Sequence, residues 1–118
     1  MYGVPSEVDL NFLHGSELIQ VRLGVHQVQF IFHPVGAINV DGKWELLGAD
    51  GSVLDRSEPA PRTRAFQLHR LLGLRVTQTQ VAPPTSIAVR FESGDTLRVF
   101  GSSKEYESFT IQPGDIVV

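Results

Sequence analysis

The chain has 118 residues with a net charge of −3 and no cysteine; 42% of residues are hydrophobic and 19% charged. That length is one domain, able to bury roughly two-thirds of the surface its unfolded form exposes. The composition is that of a folded protein and not a disordered one. The absence of cysteine excludes disulfides, thiolate catalysis and cysteine-based zinc sites, and a mildly acidic balance argues against a nucleic-acid binder, which carries a broad basic face.

The opening MYGVPSEVDL carries Glu7 and Asp9 and has no basic-then-apolar signal segment. No apolar run is long enough to span a bilayer as a helix. These features lead to the expectation of a cytoplasmic protein with no membrane partner.

In chain order, LIQVRLG alternates apolar and polar residues, and HQVQFIFHP places Val28, Phe30 and Phe32 on one face. Both read as half-buried strands. Pro34 ends the second, because it has no N–H to donate. AINV, Asp41-Gly42 and KWELLG follow, and Asp-Gly between apolar stretches is a strong hairpin signal. Asp50-Gly51 is a second such turn before SVLD.

The stretch DRSEPAPR, with its prolines and charges, reads as a surface connection over 55–62. The period then changes. Ala65, Leu68, Leu71 and Leu72 form a helical stripe, with Arg64, Gln67 and Arg70 opposite. Thr63 caps the start and Gly73-Leu74 the end, giving a short helix over 63–73 that must pack on a sheet. Strands resume in RVTQTQV, which ends at Pro83-Pro84. SIAVRFE points Ile87, Val89 and Phe91 inward and Ala88, Arg90 and Glu92 outward. A Ser93-Gly94-Asp95 turn leads into TLRVFG, with Leu97 and Val99 inward. YESFTI and DIVV close the chain.

The expected fold is α+β and mostly antiparallel β. Two three-stranded meanders, a first unit over 12–54 and a second over 74–118, are joined by the helix. They pack around Val28, Phe30, Phe32, Val89, Phe91, Leu97, Val99 and the leucines of the helix, with the sheets facing each other or closing into a barrel. LIQVRLG, VQFIF and AINVDGKWEL match GLRVTQTQV, IAVRF and TLRVFG in order, which suggests an internal duplication.

No stretch forms a specific catalytic or cofactor motif. The histidines His14, His26, His33 and His69 lack metal-ligand spacing, and the seven-residue separation of His26 and His33 puts them on opposite faces of a strand. No serine sits in a nucleophile elbow and no glycine run is a phosphate cradle. No cofactor and no metal is therefore expected. Arg56, Arg62, Arg64, Arg70 and Arg75 form the one arginine-dense stretch, read as a solvated face or a grip for an acidic partner or a phosphate. Trp44, next to a turn, is either a core lid or an exposed anchor. In KEYESFTI, alternation puts Glu107 on the side of Phe109 and Ile111. A carboxylate there needs donors and reads as a structural clamp at the sheet rim.

The order Leu13-His14-Gly15, V-x-F-x-F at Val28 to Phe32, I-x-V-x-G-x-W at Ile38 to Trp44, LLGL at Leu71 to Leu74, V-x-F-x-S-G-x-x-L-x-V at Val89 to Val99, YESF at Tyr106 to Phe109 and the closing Ile116 to Val118 resembles a family of small uncharacterised bacterial proteins, a domain of unknown function with a YESF-type C-terminal strand. Some similar small β-rich domains are immunity proteins in bacterial toxin systems. The resemblance implies a non-enzymatic protein that docks a protein partner, and it carries over no catalytic residue. The candidate anchors are Trp44, Tyr106, Arg64 and Arg70. The alternatives are a small-ligand domain or minor enzyme with a cleft between the two β units, using His26, His33 and Glu107, and a structural homo-oligomer such as a homodimer.

Overall fold

The computed structural model describes residues 4, 8–25, 27–57, 67–101, 109–113 and 116–118. Antiparallel strands dominate. One five-stranded sheet, sheet A, has the order β1-β2-β3-β9-β10, and another, sheet B, has the order β5-β4-β8-β7-β6. The strands are β1 (Glu17–Leu23), β2 (Val28–His33), β3 (Ala37–Val40), β4 (Trp44–Leu47), β5 (Val53–Arg56), β6 (Val76–Ala82), β7 (Ser86–Phe91), β8 (Thr96–Phe100), β9 (Phe109–Gln112) and β10 (Ile116–Val117).

Alternation decides which face is buried. Val28, Phe30 and Phe32 of sheet A, and Ile87, Val89, Phe91, Leu97 and Val99 of sheet B, point into one shared apolar core. Phe32 and Phe91 stack across it with ring centroids 6.5 Å apart. All seven strand residues expected in the core are buried. Burying side chains of this size stabilises by about 2 kcal/mol each before the entropy of ordering is subtracted.

The sheets interlock by the same rule in each half. β1-β2-β3 form a meander in sheet A, after which β4 and β5 join sheet B. β6-β7-β8 form a meander in sheet B, after which β9 and β10 join sheet A. The ladder from Val28↔Val40 to Ile31↔Ala37 has its counterpart from Ile87↔Val99 to Arg90↔Thr96. The bulge between Leu18 and Gln20 in β1 recurs between Val76 and Gln78 in β6. Where the halves meet, the hydrogen bonds are reciprocal. Gly15 N–H donates to Val76 C=O (2.8 Å) and Gly73 N–H to Leu18 C=O (2.8 Å), either side of a Glu17↔Arg75 bridge.

Three sequence expectations are corrected. Asp41-Gly42 does not close a hairpin. β3 pairs with β2 and β9, and β4 with β5 and β8, so the link passes from one sheet to the other. Gly42 is not among the positive-φ glycines, whereas a type I′ hairpin needs positive φ at both central residues. Asp50-Gly51 does join paired strands, with Gly51 at φ +85°.

The described part of the expected helix is a 3₁₀ turn, Leu68–Leu71, and not an α-helix; residues 63–66 lie outside the described residues. Leu72 is already extended (φ −62°, ψ 131°), and Gly73 N–H bonds to β1. Leu68 and Leu71 are buried, three apart as one 3₁₀ face requires, while Leu72 is exposed. The same device precedes β1, where a 3₁₀ turn over Asn11–Leu13 buries Leu13 next to buried Leu10. The expected 55–62 connection starts later than the sequence suggests, since β5 runs through Arg56 and Asp55 is buried. The Asp55 carboxylate accepts from the Arg56 and Gln67 amides at 2.8 and 2.9 Å.

No helix of the described residues is long and apolar enough to cross a membrane.

Candidate functional site

Among the described residues the space between the two sheets is occupied by the apolar core. An open cleft of about 520 Å³ lies instead on the outer face of sheet B. Its floor follows from strand alternation. With Val89, Leu97 and Val99 inward, Arg90 of β7 and Thr96 and Arg98 of β8 must face out. Gln78 and Gln80 of β6 continue the two rows, opposite Arg90 and Ala88. The small side chain of Ala88, between Arg98 and Gln80 in register, leaves the floor low.

One end of the cleft is walled where the β4–β5 turn meets the β7–β8 turn. Gly94 stands at φ +92°, and a Cβ there would lie 2.9 Å from the Ala49 Cβ. Glycine is thus required both by the backbone and by the approach of the two turns. Within the β4–β5 turn, Asp50 accepts from the Ser52 hydroxyl (2.6 Å) and amide (3.0 Å). Those bonds, the hydroxyl first, hold its carboxyl below the usual range. The β7–β8 turn is held by buried Asp95, which accepts from Ser93 Oγ at 3.0 Å and from Arg70 Nε at 3.4 Å.

Among the described residues neither Arg90 nor Arg98 has an ion-pair or hydrogen-bonding partner for its guanidinium. Glu45 is the cross-strand neighbour of both Arg98 and Arg56 and is the nearest acidic position on this face by register.

Sheet A offers an internal comparison. The positions equivalent to Arg90 and Arg98 are Ile31 and Asn39. Polar groups on that outer face satisfy one another. Asn39 Nδ2 donates to Thr110 Oγ1 (3.3 Å), Gln29 Nε2 to Gln27 Oε1 (2.7 Å) and Gln27 Nε2 to Asp41 Oδ1 (3.0 Å). The same backbone ladder therefore forms without arginine at either place.

The residues singled out from sequence are dispersed. Trp44 is buried at 2% exposure, in register with Val99, so its side chain is part of the core and presents no surface anchor. Arg70 is half-exposed and paired with Asp95, where it braces the turn beside the cleft. His33 is exposed at the end of β2, opposite Glu17. Tyr106, Glu107, Arg64 and His26 lie outside the described residues. His14 meets Thr79 Oγ1 at 2.8 Å. Among the described residues no three or more histidine, aspartate or glutamate side chains converge as metal ligands would.

Arg90 and Arg98 fell outside the arginine-dense stretch and carried no local signal beyond their outward parity. What could have found them is hairpin register. Two outward arginines on strands joined by a short turn must lie on one face, a diagonal step apart.

No family model matches the chain, and neither a curated protein nor a solved structure matches it.

Proposed function

We propose that this is a non-enzymatic binding protein, immunity-like in the manner of the small bacterial β-rich domains it resembles, that docks a protein partner on the outer face of sheet B. The observation that carries the reading is the contrast between the two outer faces. Among the described residues the polar groups of one bond to one another, and the other holds an open cleft over two arginines that form no ion pair and that the ladder does not require. Interfaces are enriched in arginine, whose fork of donors stays available when the aliphatic stem is covered. On the same reading, the recurrent ladder, bulge and glycine turns descend from an internal duplication, after which one copy kept a neutral face and the other acquired the docking surface.

The test is affinity capture from extract of the source organism with wild type, Thr96→Trp in the cleft, and Ala37→Trp at the equivalent position of sheet A. A stoichiometric partner held by wild type and Ala37→Trp and lost from Thr96→Trp is expected. A partner retained by Thr96→Trp, or lost equally from both variants, refutes the docking face.

A second reading, self-association, draws on edge strand β1, where Ile19 and Leu23 are each 52% exposed. Light scattering at micromolar concentration decides it, a monomer counting against.

A further inference from the structure

We infer that the group recognised by the sheet B cleft is an acidic peptide segment in extended conformation, with carboxylates at alternate positions, one for Arg90 and one for Arg98. This deepens the docking proposal and rests on it.

The spacing comes from the ladder. Arg90 lies opposite Thr96, and Arg98 opposite Ala88, so the two arginines are diagonal neighbours on adjacent strands. Diagonal pairs stand roughly 7 Å apart. Residues i and i+2 of an extended chain face the same way at about the same separation. An acidic-x-acidic segment therefore meets both guanidiniums without bending, whereas a single small anion reaches both only if the two long side chains converge.

Chemistry points the same way. An arginine fork matches a carboxylate through paired N–H donors. Gln78 and Gln80, exposed on the neighbouring strand, supply amides that both donate and accept, which suits the main chain of a peptide laid across the sheet. Glu45 lies opposite Arg98 on β4, so an acidic segment is disfavoured beyond β8 and is confined to β8, β7 and β6. The chain as a whole is acidic at −3, so the attraction is local to this face. The footprint is a pair of cations, not the broad basic face of a nucleic-acid site.

The test is titration of the full chain, followed by amide nuclear magnetic resonance, with three probes. These are the blocked peptide Gly-Ser-Glu-Ser-Glu-Ser-Gly, the same peptide with glutamine for glutamate, and inorganic phosphate. The acidic peptide is expected to bind in the ~1 mM range and to shift amides of β6, β7 and β8, as weak exposed pairs allow. Affinity is expected to fall roughly tenfold in Arg90→Gln/Arg98→Gln and severalfold as salt is raised to about 0.15 M. Arg90 is exposed and Arg98 half-exposed, and an unchanged melting temperature in the double variant confirms that its fold is intact. The glutamine peptide binding as well as the acidic one overturns the inference, as do shifts confined to sheet A, or phosphate binding at least as tightly. If the peptide fails while Thr96→Trp still releases a captured partner, the carboxylate recognition falls and the docking face stands. If both fail, both are wrong.

Discussion

Replacing Gly94 by alanine separates two costs that the structure makes distinguishable. Gly94 and Gly51 both have positive φ, +92° and +85°, but a Cβ at Gly94 would meet Ala49 Cβ at 2.9 Å, while at Gly51 nothing lies within 4 Å. Gly51→Ala therefore carries only the left-handed backbone penalty, about 1 kcal/mol. Gly94→Ala adds overpacking at the junction of two turns, about 2 kcal/mol more. With a urea dependence of about 1.5 kcal/mol per molar, midpoints should fall by about 0.7 M for Gly51→Ala and about 2 M for Gly94→Ala. Adding Ala49→Gly removes the opposing Cβ and should return Gly94→Ala to within about 1 kcal/mol of Gly51→Ala. Equal losses for the two single variants, or no rescue by Ala49→Gly, would show that the turns do not touch and that the wall of the cleft is wrongly drawn.

The remaining predictions concern the core, the brace and the acid limit. Trp44→Ala should cost about 3–5 kcal/mol, and the native fluorescence of this sole tryptophan should be blue-shifted; a water-like emission maximum contradicts its burial. Asp95→Ala, which strips a buried acceptor from Ser93 and Arg70, should cost about 2 kcal/mol. Arg70→Ala should cost under about 1 kcal/mol, because the arginine is half in solvent; chemical denaturation showing the reverse order would refute the brace. The Asp50 carboxyl is held below its ordinary 3.8, so its stabilisation is present above that value and is lost as pH falls through the lower folded value. Thermal melts in that acid range should show a shallower decline for Asp50→Asn than for wild type, and identical slopes would remove the Ser52 contribution.

What the sequence makes legible here is period two. It placed Val28, Phe30, Phe32, Val89, Phe91, Leu97 and Val99 in the core, because within each strand they fall on one parity. Periodicity within a segment says nothing about which segments pair. Asp41-Gly42 looked like a hairpin because local turn chemistry is the same whether the chain returns on its own strand or crosses to another sheet. The competing partners, β9 for β3 and β8 for β4, come from the far half of the chain. The leucines before Gly73 misled for a related reason. Leu68 and Leu71 fit both a 3.6-residue and a 3.0-residue period, and only the sheet bond from Gly73 to Leu18 decides between them. The cleft was less legible still. Arg90 and Arg98 acquire meaning from a register and from the contrast with Ile31 and Asn39, and neither is a local property.

The docking face is tested most directly by photocrosslinking, since the natural chain has no cysteine and a single introduced thiol is uniquely labelled. A benzophenone on Thr96→Cys and, separately, on Ala37→Cys would be irradiated in extract of the source organism. Adducts with a discrete protein from position 96, suppressed by the acidic peptide and absent from position 37, are the predicted result. Equal adducts from both positions, or adducts from position 37 alone, would contradict the assignment of sheet B as the binding surface.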